Sequence, residues 1–99
     1  MKTIYRYELT DSVNIVNLPC CANVISADVD INEKGREVIC IWAEIDTSDT
    51  LYSPRKFCIF GTGADMNSLD NFSKHFIGTV RRANKYAFHV YEVFDDGVV

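Results

Sequence analysis

The stretch Glu37-Val38-Ile39-Cys40-Ile41-Trp42-Ala43-Glu44-Ile45 is apolar on both sides of an extended chain. Side chains of a strand alternate between two faces. Val38, Cys40 and Trp42 therefore share one side, and Ile39, Ile41, Ala43 and Ile45 share the other. A strand of this kind lies inside a sheet that is covered on both faces. Trp42 reads as a core residue on this pattern, and as a stacking surface if it lines a pocket instead.

Working outward, the preceding segment 24–31 alternates Ile25, Ala27, Val29 and Ile31 against Ser26, Asp28 and Asp30. Asn32-Glu33-Lys34-Gly35 joins it to the two-faced strand as a hairpin turn, with Gly35 free to take positive φ. Residues 4–9 form another alternating strand and 13–18 a weaker one, which Pro19 stops because it lacks the ladder N–H. A polar loop spans 46–54, and a short apolar strand spans 55–60. The segment 61–72 is a long loop or a single helical turn starting near Asp65. Strands follow at 75–82 and 86–94, joined by a tight turn in which Asn84 suits the left-handed region, and 95–99 is a frayed tail. Six or seven short strands with turn signals every 8–12 residues define an all-β, mostly antiparallel chain. Either a small β-sandwich or a flattened barrel would bury residues 37–45. The 99 residues make one domain.

Composition narrows the function classes. At 47% apolar and 24% charged residues the chain is globular and not disordered. A net charge of -4 argues against bulk nucleic acid or an anionic membrane as partner. No apolar run reaches the length of a membrane helix, and Met1 leads straight into a strand without a secretory h-region. Cys20, Cys21, Cys40 and Cys58 then read as reduced, small apolar residues in a cytoplasm.

The candidate chemistry centres on Ile59-Phe60-Gly61-Thr62-Gly63. It is neither a dinucleotide fingerprint nor a phosphate loop, since the third glycine, the long helix and the Gly-Lys-Ser/Thr are missing. The segment is a turn or bulge that redirects the strand, or its N–H groups form a small anion nest with Thr62 and Asp65 facing a ligand. Arg81 and Arg82, with Lys85, Arg55 and Lys56, form either a basic patch beside Tyr86 and Tyr52 or plain solvated surface. His89 reads as a hydrogen-bonded structural residue, because neither His nor Cys shows metal-ligand spacing. Cys58 with His89 is the only dyad to consider, and an all-β chain offers few ways to lower a thiol pKa. No cofactor is implied. Speculative ligand residues are Gly61, Thr62, Gly63, Asp65, Arg81, Arg82, Trp42 and His89. Exposed sheet edges call for cover, and a homodimer is the expected solution.

Four motifs in order carry a resemblance across nearly the whole chain: Met1-Lys2-Thr3-Ile4-Tyr5-Arg6-Tyr7, the Ile59-to-Gly63 segment, Phe76-Ile77-Gly78-Thr79, and Phe88-His89-Val90-Tyr91-Glu92. Together they resemble a group of short, uncharacterised phage and prophage proteins. The resemblance implies a small accessory protein in an infected bacterial cytoplasm. It would engage a host protein as inhibitor or modulator, or alternatively sequester a nucleotide signal. A small hydrolase using Cys58 or His89 is the remaining alternative.

Overall fold

The computed structural model describes residues 1–83 and 85–94, so the expectations for Asn84 and for 95–99 lie outside the described residues. Seven strands run in order: β1 (Lys2–Leu9), β2 (Val13–Pro19), β3 (Asn23–Ile31), β4 (Glu37–Asp46), β5 (Tyr52–Gly61), β6 (Ser73–Arg82) and β7 (Tyr86–Phe94). One short 3₁₀ turn, Asn67–Leu69, interrupts the connection between β5 and β6. All strand pairs are antiparallel. They form a three-stranded sheet of order β1-β4-β3 and a four-stranded sheet of order β2-β5-β7-β6. The two sheets pack as a sandwich, and no barrel closes among the described residues.

The two-faced strand β4 is central in its sheet, between β1 and β3. Its even-spaced aliphatics Ile39, Ile41, Ala43 and Ile45 face the four-stranded sheet. There they meet Leu18, Phe57, Val80 and Val90 in one core. The other face of β4 points outward. Cys40 on that face is fully buried, but Trp42 is only half-buried and lies outside both core clusters. The expectation of a core Trp42 is thereby corrected. Alternation separates the two faces of β4 but does not say which one meets the second sheet.

Several boundaries differ from the sequence reading. β5 starts at Tyr52 and passes through Pro54. Ile59 N donates to Ser12 O and Cys20 N to Leu51 O, both at 2.9 Å, so odd residues of β5 bond to β2. Pro54 faces the other way, beyond the Lys56–Val93 pair, the last of the β5–β7 ladder among the described residues, and its missing N–H disrupts none of those pairs. The hairpin turn after β3 is as expected: Gly35 has φ 74°, and the Asn32 side chain accepts from Lys34 N and Arg36 N. The positive φ described in the β6–β7 turn belongs to Ala83, at 52°. Cys20 and Cys21, which read from sequence as small apolar residues, are exposed.

A charged pair sits between the sheets. Arg55 alternates with Phe57 and Ile59 on the inner face of β5. It donates from Nε to Glu92 Oε2 at 2.6 Å and from Nη2 to Glu92 Oε1 at 2.7 Å. Its Nη1 donates to Ala22 O, in the connection between β2 and β3, at 2.7 Å. Glu92 is 3% exposed. A buried carboxylate is tolerated only with such bidentate pairing, and these bonds hold the Arg55 guanidinium above its ordinary pKa. Arg55 is therefore not part of a surface basic patch.

Candidate functional site

The outer face of the four-stranded sheet is where site-like residues gather. Even residues of β5 and odd residues of β7 share this face. Cys58 lies opposite Tyr91 and Phe60 opposite His89. On β6, Phe76 lies opposite Tyr91 and Thr79 opposite His89. These two residues are three apart, yet both face out, because a bulge between Phe76 and Gly78 adds Ile77 to the strand.

Two side-chain rows result. The first is aromatic and crosses three strands. The Phe60 and Tyr91 rings stand edge-to-face at 6.2 Å, and the Phe76 and Tyr91 rings at 5.4 Å, both within the favourable range for such pairs. Phe76 is 49% exposed. The second row is polar. Thr62 Oγ1 lies 2.8 Å from His89 Nε2, and Thr79 Oγ1 lies 2.9 Å from His89 Nδ1. A neutral imidazole has one N–H and one lone pair. One threonine therefore accepts a hydrogen bond and the other donates one, and both ring nitrogens are occupied.

The loop 62–72 folds back over part of the same face. Leu69 of the 3₁₀ turn is buried against Cys58 and Val93, with Met66, Phe60, Phe72 and Tyr91 around them. Asp65 Oδ1 accepts from Asn67 N at 2.8 Å and starts this turn. Its carboxylate thus has a local structural partner. Lys56 Nζ lies 5.4 Å from the Phe72 ring centroid. Beside this lid a groove of about 380 Å³ runs past Val13, Ile59, Phe60, Leu69 and Phe72.

The expected ligand residues are thus partly brought together. Thr62 and His89 touch. Gly61 and Gly63 flank Thr62, with Gly63 at φ 88°, so the glycine segment is the turn that ends β5. Arg81 follows Thr79 by two residues on β6 and shares its face. Arg82 points to the opposite face, where its Nη2 donates to Glu37 O at 3.4 Å across the sandwich. Adjacent residues of a strand cannot form one patch. Trp42 stands on the outer face of the other sheet and joins none of these groups.

Cys58 gains no activation here. It is 2% exposed, and burial pushes its thiol pKa up. Both nitrogens of His89, one ladder step away, are already engaged. Among the described residues no group of three or more His, Cys, Asp or Glu side chains stands close enough to hold a metal ion. No helix among them is long and apolar enough to cross a membrane.

Phe60, Tyr91, Phe76 and Thr79 stand inside the quoted motifs but are not among the ligand candidates read from sequence. The alternation in β5 and β7 carries the first two. The bulge at Ile77 hides the other two, since plain alternation puts Phe76 and Thr79 on opposite faces.

The fold and this face together define a small antiparallel two-sheet β protein with an aromatic outer surface. The chain belongs to the family described as "Domain of unknown function (DUF7352)", whose sequence model matches residues 1–98. No curated protein and no solved structure matches it. The family description names no function and makes no mention of phage.

Proposed function

We propose that this chain is a small non-catalytic binding protein that engages another protein through the aromatic row on the outer face of its four-stranded sheet. The carrying observation is Phe76, half-exposed and flanked on the same face by Tyr91, which in turn stands against Phe60. A rigid, exposed aromatic in a supported row is the chemistry of an interface anchor. The resemblance to phage and prophage proteins supports a bacterial host protein as the partner and the host cytoplasm as the compartment. The engaged nitrogens of His89 and the buried, unactivated thiol of Cys58 weigh against the hydrolase reading.

One observation favours a second reading, a nucleotide-binding role. Arg81 shares the outer face of β6 with Phe76 and Thr79, so a base stacked on Phe76 would have a cation within the same face. Native mass spectrometry of the protein before and after incubation with bacterial lysate separates the two. A protein adduct kept by Arg81→Ala and lost in a folded Phe76→Ala variant supports the first reading. A small-mass adduct lost in Arg81→Ala supports the second. A bare chain under both conditions overturns both.

A further inference from the structure

The four edge strands of this sandwich are guarded unequally. On β3, Asp28 Oδ1 accepts from Val29 N at 2.7 Å and Asp30 Oδ1 from Ile31 N at 2.8 Å, so its own aspartates occupy edge donors. β3 also carries a bulge between Val24 and Ser26. β6 carries Lys74, Arg81 and Arg82, is bulged at Ile77, and lies so close to β3 that a Cβ on Gly78 would sit 3.6 Å from Ala27 O. β1 carries Lys2, Arg6 and Glu8. These are the devices by which sheets avoid edge-to-edge pairing. β2, Val13–Pro19, reads Val-Asn-Ile-Val-Asn-Leu-Pro and has neither a charge nor a bulge.

Its free edge follows from the ladder. Ser12 O and Cys20 N bond to β5, so the alternation of an antiparallel pair turns the N–H and C=O of residues 14, 16 and 18 the same way. The backbone groups of Val13, Ile15 and Asn17 point outward. Pro19 ends the row because it has no N–H to offer. On the same edge the Val13 and Ile15 side chains are 54% and 64% exposed.

We propose that β2 is a self-pairing edge. Two copies of this chain join antiparallel about a twofold axis at Ile15, making one eight-stranded sheet from two four-stranded ones. In this register Ile15 meets Ile15 of the second copy, and Val13 meets its Asn17. Three residue pairs each exchange two N–H···O bonds. The pairing uses every outward backbone group of residues 13–17 and gives both exposed aliphatics a cross-strand neighbour on the outer face. A second copy is the favoured occupant for a reason of charge. The chain carries a net -4, so two copies repel. In a twofold pair, a charge near the axis also meets its own copy. β2 is the one edge strand whose residues carry no charge to oppose.

Sedimentation velocity of the full chain should show twice the monomer mass. Ile15→Lys sets two ammonium groups side by side at the axis and should raise the dissociation constant at least about tenfold, with circular dichroism unchanged. Cysteine cross-linking checks the register independently, in a Cys20→Ser, Cys21→Ser background. Directly opposed residues of a bonded pair lie about 5.5 Å apart at Cα, within disulfide reach. Ile15→Cys should link to itself on mild oxidation. Val13→Cys should not, but should link when mixed with Asn17→Cys. A chain that stays monomeric at its highest soluble concentration overturns the proposal. So does a dimer that the folded Ile15→Lys variant leaves intact, or Val13→Cys linking to itself. A 1:1 complex with a different protein at β2, formed by an otherwise monomeric chain, overturns it as well.

Discussion

The two outer faces of the sandwich solve the same problem in opposite ways. On the three-stranded sheet, one arginine does the covering. Arg6 donates to Asp30 at 2.9 Å and to Glu8 at 3.1 Å, and its Nη1 lies 3.7 Å from Cys40 Sγ. Its side chain spans β1, β4 and β3 and roofs Cys40 while its head stays in water. On the four-stranded sheet, the 62–72 loop brings Leu69 down onto Cys58 and Val93 and builds a second apolar cluster. One sheet thus packs an apolar cluster on its inner side only, and the other on both sides. The sheet with two packed faces is the four-stranded one, although the sequence segment with two apolar faces, β4, belongs to the other.

The largest expected effect breaks what the two sheets share. Glu92→Ala leaves the Arg55 guanidinium between the sheets without its carboxylate. It should cost about 3 kcal/mol, read as a fall in the denaturant midpoint at unchanged m-value. A loss near zero would mean that the pair is solvated and the sheets are held by apolar contact alone. Leu69→Ala acts on one face only. It should cost about 2–3 kcal/mol and speed the labelling of Cys58 by a thiol reagent while leaving Cys40 slow. Equal acceleration of both thiols would show that the lid is not independent of the opposite sheet. The smallest effect on stability is expected of Arg6→Ala, because its ion pairs are exposed to water. Its readout is the mirror image: Cys40 becomes accessible and Cys58 does not. Both labelling experiments need Cys20 and Cys21 replaced by serine, since these exposed thiols react first.

Period-two alternation makes the strands readable, and with them the antiparallel all-β class, while leaving sandwich and flattened barrel both open. Boundaries moved where backbone chemistry allowed it, as at Pro54, whose missing N–H falls beyond the last described pair of the ladder. The site was less legible for three physical reasons. Arg55 reads from sequence as part of a basic patch or as solvated surface, although it alternates with Phe57 and points inward, where it meets Glu92. Arg81 and Arg82 were read as neighbours, although consecutive strand residues face opposite ways. Trp42 faces outward because four aliphatics on the other side of β4 pack against the second sheet, a choice made between sheets and not within one strand. Thr62 and His89 are candidates from sequence, but the second contact of His89, to Thr79, depends on a strand irregularity that no local signal announces.

The bulge at Ile77 has a bearing on chain length as well as on shape. In a regular strand, removing one residue turns over every side chain beyond it, so an outward row becomes an inward one. Between Phe76 and Thr79 the count is already odd by one. Removing Ile77 restores plain parity and leaves Phe76, Thr79 and Arg81 all facing as they do now, at the expense of the packing Ile77 itself supplies. The same holds for Ile25 in β3. These two sites are the shock absorbers of the fold. Single-residue deletions anywhere else in β3 or β6 scramble a face, whereas here they shorten the chain and leave the order of both faces intact.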